Sequence, residues 1–192
     1  MKGKRASQGD GGTPQAYQLK LTLLGIKPPI WRRILMPGKM NLEDLHYVIQ
    51  TVMGWDNSHL HLFELGGTEY SDPMFKLEEV EDERKVRLDK CGLRKGTSFL
   101  YRYDFGDSWE HQIKVEKVLT PEEKLTHPTC MAGERASPPE DCGGIWGYEE
   151  LLEALSDPDH PDHEDMLEWV GGQFAPEAFD LEGVNKELQR HG

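Results

Sequence analysis

The clearest periodic signal in the chain is a strict alternation over residues 98–117, SFLYRYDFGDSWEHQIKVEK. Phe99, Tyr101, Tyr103 and Phe105 fall on one face of an extended segment, with Ser98, Leu100, Arg102 and Asp104 on the other. After Gly106-Asp107-Ser108 the alternation resumes, with Trp109, His111, Ile113 and Val115 opposed to Glu110, Gln112, Lys114 and Glu116. This predicts a hairpin. A slip of one residue would swap the faces, so a three-residue loop is the connection that keeps one face apolar. It pairs Phe105 with Trp109, Tyr103 with His111, Tyr101 with Ile113 and Phe99 with Val115. The aromatic face then needs a cover.

Residues 16–24 alternate as well, placing Tyr17, Leu19, Leu21 and Leu23 inward and Gln18, Lys20 and Thr22 outward. Gly25 to Pro29 break this strand, and residues 30–36 make a second, antiparallel one that Pro37-Gly38 stops. Asn41 reads as a helix N-cap, with Glu43 and Asp44 in the first turn where the helix dipole favours negative charge. Leu42, Leu45, Ile49, Val52 and Met53 follow at helical spacing up to Gly54, and this helix is the expected cover. Residues 59–65 predict another strand, turning at Gly66-Gly67. The charged stretch 71–85 reads as a mobile excursion, and residues 120–146, rich in Pro and Gly, as a long loop. Helices are expected around Tyr148–Leu155, around Met166–Val170 and, capped by Asp180, around Leu181–Leu188. Strands come first and helices last, which gives an α+β fold. It would hold a mostly antiparallel sheet of about five strands, one covering helix and a C-terminal group of three helices. The 192 residues suit one domain over 16–190, after a disordered leader of about 15 residues.

Composition narrows the setting. There is no apolar run of about 18 residues, so no membrane span is expected, and the N-terminus lacks the apolar core of a secretory signal. Three cysteines, Cys91, Cys130 and Cys142, make no disulfide framework, which favours a reducing, cytoplasmic setting. The net charge of −13 is uneven. Residues 1–40 carry eight Lys/Arg against one Asp, whereas residues 120–192 carry four against eighteen acidic residues. Nucleic acid is repelled by most of the chain, and the basic N-terminal strands are where it could bind.

Four groups of residues could carry chemistry. His59 and His61 lie two apart on an expected strand and share a face, a spacing that can chelate a metal, with His111, Cys130 or Cys142 as further ligands. Hydrogen-bonded core histidines account for the same spacing. Asp104 and Glu110 come close to facing each other across the hairpin mouth, with Asp107 in the loop. Either Arg102 or a divalent ion would offset that repulsion, and Asp107 could simply bond the turn backbone. Trp31, Arg32 and Arg33 could stack on and neutralise a nucleic acid strand. The competing reading puts Trp31 in the core and pairs one arginine with the acidic C-terminal half. Gly143-Gly144-Ile145-Trp146-Gly147 could cradle an anion at a helix start. The carboxylates around it, Glu140, Asp141, Glu149 and Glu150, oppose a phosphate, so it reads as a turn that sets Trp146 against the core.

Taken together, KPPIWRRILMP (27–37), MGWDNSHLHLF (53–63), YDFGDSWEH (103–111), CMAGERASPPEDCGGIWGYEELLEAL (130–155) and EWVGGQFAPEAFDLEGVNKEL (168–188) resemble the plasmid pRiA4b ORF-3-like family. The likeness runs in order from about residue 16 to 190 and implies a compact α+β fold. Members are largely uncharacterised, and some carry a transposon-resolvase label. No serine-recombinase catalytic segment is visible in this sequence. Related sequences often read CPPEDC where this chain has Ser137 to Cys142, which argues against an obligatory cysteine cluster. The resulting expectation is a non-enzymatic interaction or accessory domain of plasmids or mobile elements. It would need no cofactor and would have a protein as its main partner, through Trp31, Arg32, Arg33, Arg102, Asp104, Asp107 and Glu110. The alternative is a metal-dependent hydrolase or nuclease built on His59, His61, Asp104, Asp107 or Glu110.

Overall fold

Alternation at the N-terminus builds β1 (Ala16–Leu23), whose Tyr17, Leu19, Leu21 and Leu23 are all buried. It pairs antiparallel with β2 (Trp31–Pro37), Lys20 facing Arg33. The computed structural model describes residues 15–121 and 125–190, so the predicted leader lies almost wholly outside the described residues. Next comes α1 (Leu42–Met53), started by a capping box in which Asn41 and Asp44 exchange hydrogen bonds of 2.8 Å. Gly54, at φ 73°, closes it in the left-handed conformation that glycine adopts without strain. Its Leu42, Leu45, Ile49, Val52 and Met53 are buried in the main core, as the helical spacing predicts.

Among the described residues eight strands form the sheet, not about five. The others are β3 (His61–Leu65), β4 (Thr68–Ser71), β5 (Glu81–Asp82), β6 (Ser98–Tyr103), β7 (Trp109–Leu119) and β8 (Thr129–Glu134). Their order is β5-β4-β3-β6-β7-β1-β2-β8. The sheet is mixed, since β4 and β5 run parallel and the other pairs antiparallel. The extra strands hide where alternation is weak: β4 and β5 flank and enter the charged excursion, and β8 crosses the Pro/Gly-rich loop. The excursion is also anchored, because it ends in a short 3-10 turn, Glu83–Lys85, whose Glu83 is buried. Helices α2 (Gly144–Ser156), α3 (His163–Trp169) and α4 (Leu181–Arg190) complete the α+β architecture, α4 capped through a bond from Gly183 N–H to Asp180.

The hairpin keeps its predicted faces but not its predicted pairs. Tyr103 pairs with Trp109, Tyr101 with His111 and Phe99 with Ile113, a register two residues from the three-residue loop. A two-residue shift leaves every side chain on its face, so alternation alone cannot distinguish the two. The loop, Asp104 to Ser108, decides it. Asp104 and Ser108 both take left-handed backbone (φ 55°), Ser108 N–H donates to the Asp104 carbonyl, and Gly106 N–H donates to the Asp104 carboxylate at 2.9 Å. Phe105 is therefore expelled from the core and is 42% exposed.

The two arginines of β2 part as strand geometry requires, but Trp31 does not enter the core. Trp31 and Arg33 lie half-buried on the polar face, and Arg32 points inward with 2% exposure. Arg32 donates to the carbonyls of Val52, Trp31 and Glu134 and to Ser137 Oγ, and lies 4.0 Å above the Phe179 ring. Val52 is in the last turn of α1, whose free carbonyls receive here the cation that the helix itself lacks. Arg32 is thus a structural residue, not a surface one. Trp146 is likewise not set against the core: it is 78% exposed, and Ile145 packs inward beside Gly25 instead.

Candidate metal centre

At the loop end of the β6–β7 hairpin, three chain segments bring together one imidazole and three carboxylates. His59 comes from the stretch before β3, Asp104 from the hairpin loop, and Glu140 and Asp141 from the loop before α2. Asp141 Oδ1 lies 3.1 Å and Glu140 Oε2 3.7 Å from His59 Nε2, and Asp104 Oδ1 lies 3.8 Å from His59 Nδ1. One ligand atom from each of His59, Asp104 and Asp141 fits within a mutual separation of 4.8 Å.

The scaffold around this cluster is specific. After Gly54 ends α1, Trp55 stacks on Tyr103 with ring centroids 5.0 Å apart and donates from Nε1 to the Pro138 carbonyl at 2.9 Å. That bond holds the 137–141 loop against the core. Tyr103 O–H and Asp56 N–H both donate to Glu140 Oε1, at 3.0 and 2.9 Å. Glu140 is therefore fixed through one oxygen, and its Oε2 is buried with no hydrogen-bond partner, as is His59 Nε2. Asp107 does not join the cluster. Its carboxylate accepts from Gly143 N–H at 3.1 Å and ties the hairpin tip to the start of α2. Gly147 lets the same loop approach α2, because a Cβ there would sit 1.9 Å from the Cys142 carbonyl oxygen.

Among the described residues, no lysine or arginine forms an ion pair with Asp104, Glu140 or Asp141. Three carboxylates therefore share one imidazole, and two of them are largely buried. Burial raises the Glu140 carboxyl above its ordinary range. A bound cation would relieve both the repulsion and the desolvation. Asp141, 72% exposed at its side chain, leaves the cluster open to solvent.

The predicted chelate of His59, His61 and His111 does not form. Strand β3 begins only at His61, so the two-residue spacing does not carry His59 onto the core face. His61 Nε2 is 2.8 Å from Glu83 Oε2, and its ring stacks on His46 at 3.5 Å. His111 is fully buried between the rings of Trp55 and Tyr101. Cys130 and Cys142 point toward the carbonyls of Ala132 and Gly144, and burial pushes both thiols up, that of Cys142 to about 12. Protonated thiols are poor metal ligands. Glu110 does not face Asp104 either. It pairs across the strands with Arg102, which reaches it at 2.8 Å. Of the residues the sequence suggested for metal, His59 and Asp104 meet, and Glu140 and Asp141 join them. These last two were legible in one respect: the charge that argues against a phosphate at Gly143 argues equally for a cation.

Three stretches in which the sequence resembles a known family thus meet here: 53–63, 103–111 and 130–155. A family model described as plasmid pRiA4b ORF-3-like protein matches residues 15–183. The chain belongs to the plasmid pRiA4b ORF-3-like family. An uncharacterised protein of Sinorhizobium fredii is 42% identical over 179 residues, covering 89% of each chain. A crystal structure of a protein of unknown function from Methanosarcina mazei superposes with a TM-score of 0.81 at 40% identity, covering 92% of this chain and 99% of that one. Membership thus carries the fold without an activity. No helix among the described residues is long and apolar enough to cross a membrane.

Proposed function

We propose that this protein is a divalent-cation-dependent hydrolase, with His59, Asp104, Glu140 and Asp141 as its working centre. The observation that carries the reading is the convergence of one imidazole and three carboxylates with, among the described residues, no lysine or arginine paired to them, two of the facing atoms being buried without a hydrogen bond. Mixed nitrogen and oxygen donors suit a first-row ion such as Zn2+ or Mn2+ better than the all-oxygen shell that Mg2+ or Ca2+ prefers. His59, Asp104 and Asp141 supply ligand atoms. Glu140, held through Oε1 and raised by burial, keeps Oε2 free to accept a proton from water at the ion. The ion would polarise a substrate oxygen and acidify that water. A cavity of about 520 Å3 adjoins the cluster and is lined by Glu140, Asp141, Pro138, Trp169 and Phe174, giving a substrate an apolar wall beside the centre.

Elemental analysis of purified protein together with calorimetric titration of metal-stripped protein with Zn2+ and Mn2+ tests this. One equivalent is expected, lost in a His59→Ala, Asp104→Asn double variant. Binding that survives in the double variant places the ion elsewhere, and no binding of either ion ends the proposal.

A further inference from the structure

The polar face of the sheet carries a feature that the cation centre does not use. Lys114, Lys20 and Arg33 stand directly side by side across β7, β1 and β2, since Lys20 pairs with both Lys114 and Arg33. Like charges in direct cross-strand register destabilise a sheet. Here three sit in a row, within a chain whose net charge is −13. Arg33 is offset most directly: Glu116 holds it at 2.6 and 3.0 Å while also accepting from Gln18. Among the described residues, no carboxylate lies within ion-pair distance of Lys20 or Lys114.

The row borders a shallow groove of about 870 Å3 that Lys95, Lys117 and the exposed Met131 also line. Arg33, Lys95, Lys114 and Lys117 face one Glu116 there, so the groove is positive on a strongly acidic molecule. Beside it lies Trp31. The Lys20 ammonium is 4.9 Å and the Arg33 guanidinium 5.1 Å from its ring, and Glu134 fixes its orientation by accepting from Nε1 at 3.0 Å. An oriented aromatic ring next to a row of cations on an open sheet face matches a repeating ligand of alternating anion and planar ring.

From this placement we infer that the β7–β1–β2 face binds single-stranded nucleic acid, with phosphates along Lys114, Lys20 and the groove lysines and one base stacked on Trp31. A base that stacks displaces the Lys20 ammonium from the ring, and the ammonium meets the adjoining phosphate. Arg33, kept by Glu116, acts mainly by positioning Trp31. The surface is distinct from the cation centre, because Lys114 is five residues along β7 from Trp109 at the hairpin end, about 17 Å in an extended strand.

Fluorescence anisotropy of the full chain with a labelled 20-mer of deoxythymidine tests it across a salt series from 50 to 300 mM. Binding is expected to weaken with salt at a log–log slope near −2, as about three neutralised phosphates require. A Lys20→Gln, Lys114→Gln variant should flatten that slope to near −1. Trp31→Ala should weaken binding roughly tenfold at unchanged slope, and Trp31→Phe should recover most of it. These side chains are exposed or half-buried, and circular dichroism checks that the variants fold. No binding at 50 mM, or binding that none of these variants changes, overturns the inference. So does equal affinity for duplex DNA, or heparin binding with the same dependence on the lysines and none on Trp31.

Discussion

Three core histidines and one at the rim share the same scaffold, and they live by opposite rules. His61 and His111 on the core face of the sheet, and His46 on α1 above them, are sunk in the core. His46 bonds Tyr101 O–H through Nδ1 at 2.8 Å and Asn57 through Nε2 at 2.7 Å, while Gln50 also donates to that hydroxyl. Burial drives His46 and His111 down to about 3 and His61 to about 4, so all three stay neutral and serve as shaped, polar core residues. His59 sits at the rim among carboxylates, half open to water. The same side chain is thus a packing element where the sheet encloses it and a ligand where the sheet ends. Two residues of sequence separate the two roles.

The comparison is sharpest at Asp104. Asp104→Asn keeps the oxygen that accepts from Gly106 N–H and removes only the charge. It should lower Zn2+ or Mn2+ affinity about 100-fold by titration, the scale expected for losing a ligand or its orienting partner, while metal-free stability stays within about 0.5 kcal/mol. A Tyr101→Phe substitution in the core should do the reverse. It strands His46 Nδ1 and Gln50 Nε2, costs about 1–3 kcal/mol in urea denaturation and leaves cation affinity unchanged. If both substitutions moved both quantities, the two regions would be one coupled unit.

Glu83 supplies a subtler break. Burial pushes it up to about 8, so near neutrality the folded state holds its proton, donated to His61 Nε2. An unfolded chain loses that proton above about 4.5. Between these values the unfolded state binds one proton fewer at this group, so the contribution of Glu83 to stability falls as pH rises through the window, by at most about 1.4 kcal/mol per pH unit. The depressed histidines act with the opposite sign, since the unfolded chain takes up their protons below about 6.5 and stability falls toward acid. Glu83→Gln should abolish the decline between about pH 7 and 8, above the range in which the three histidines outweigh it, and steepen the acid limb, read from denaturation midpoints. A decline that persists would mean that the proton held in excess by the folded protein sits on a group other than Glu83. Smallest is the exposed Arg102–Glu110 pair, where Arg102→Ala should change stability by less than about 0.5 kcal/mol.

What could be read in advance follows from range of interaction. Helix α1, with its Asn41 cap and apolar spacing, and the faces of β1, β6 and β7 are set by neighbours a few residues away, and they form as their periodicity predicts. Register in the hairpin depends on how Asp104 and Ser108 turn the backbone, which alternation does not encode. Strand β8 was hidden for a different reason: Gly133 interrupts its pattern because the Phe179 ring lies where a Cβ would be, 2.6 Å away. Half of the cluster was visible as His59 and Asp104. The other half depends on Trp55 reaching Pro138 and Asp107 reaching Gly143, contacts 83 and 36 residues apart that leave no local trace.

The same long-range bonding also closes the molecule off. A sheet of eight strands has two borders, and a border strand offers its free amides and carbonyls to any other chain. On one side β5 is only two residues long. On the other, the side-chain amide of Asn185 from α4 accepts from Cys130 N–H at 2.9 Å and donates to the Cys130 carbonyl at 2.8 Å. It takes the pair of groups that a ninth strand would need, and a bulge in the pairing of β2 with β8 further spoils the template. One asparagine, acting as a counterfeit peptide, thus keeps this sheet from growing into its neighbours.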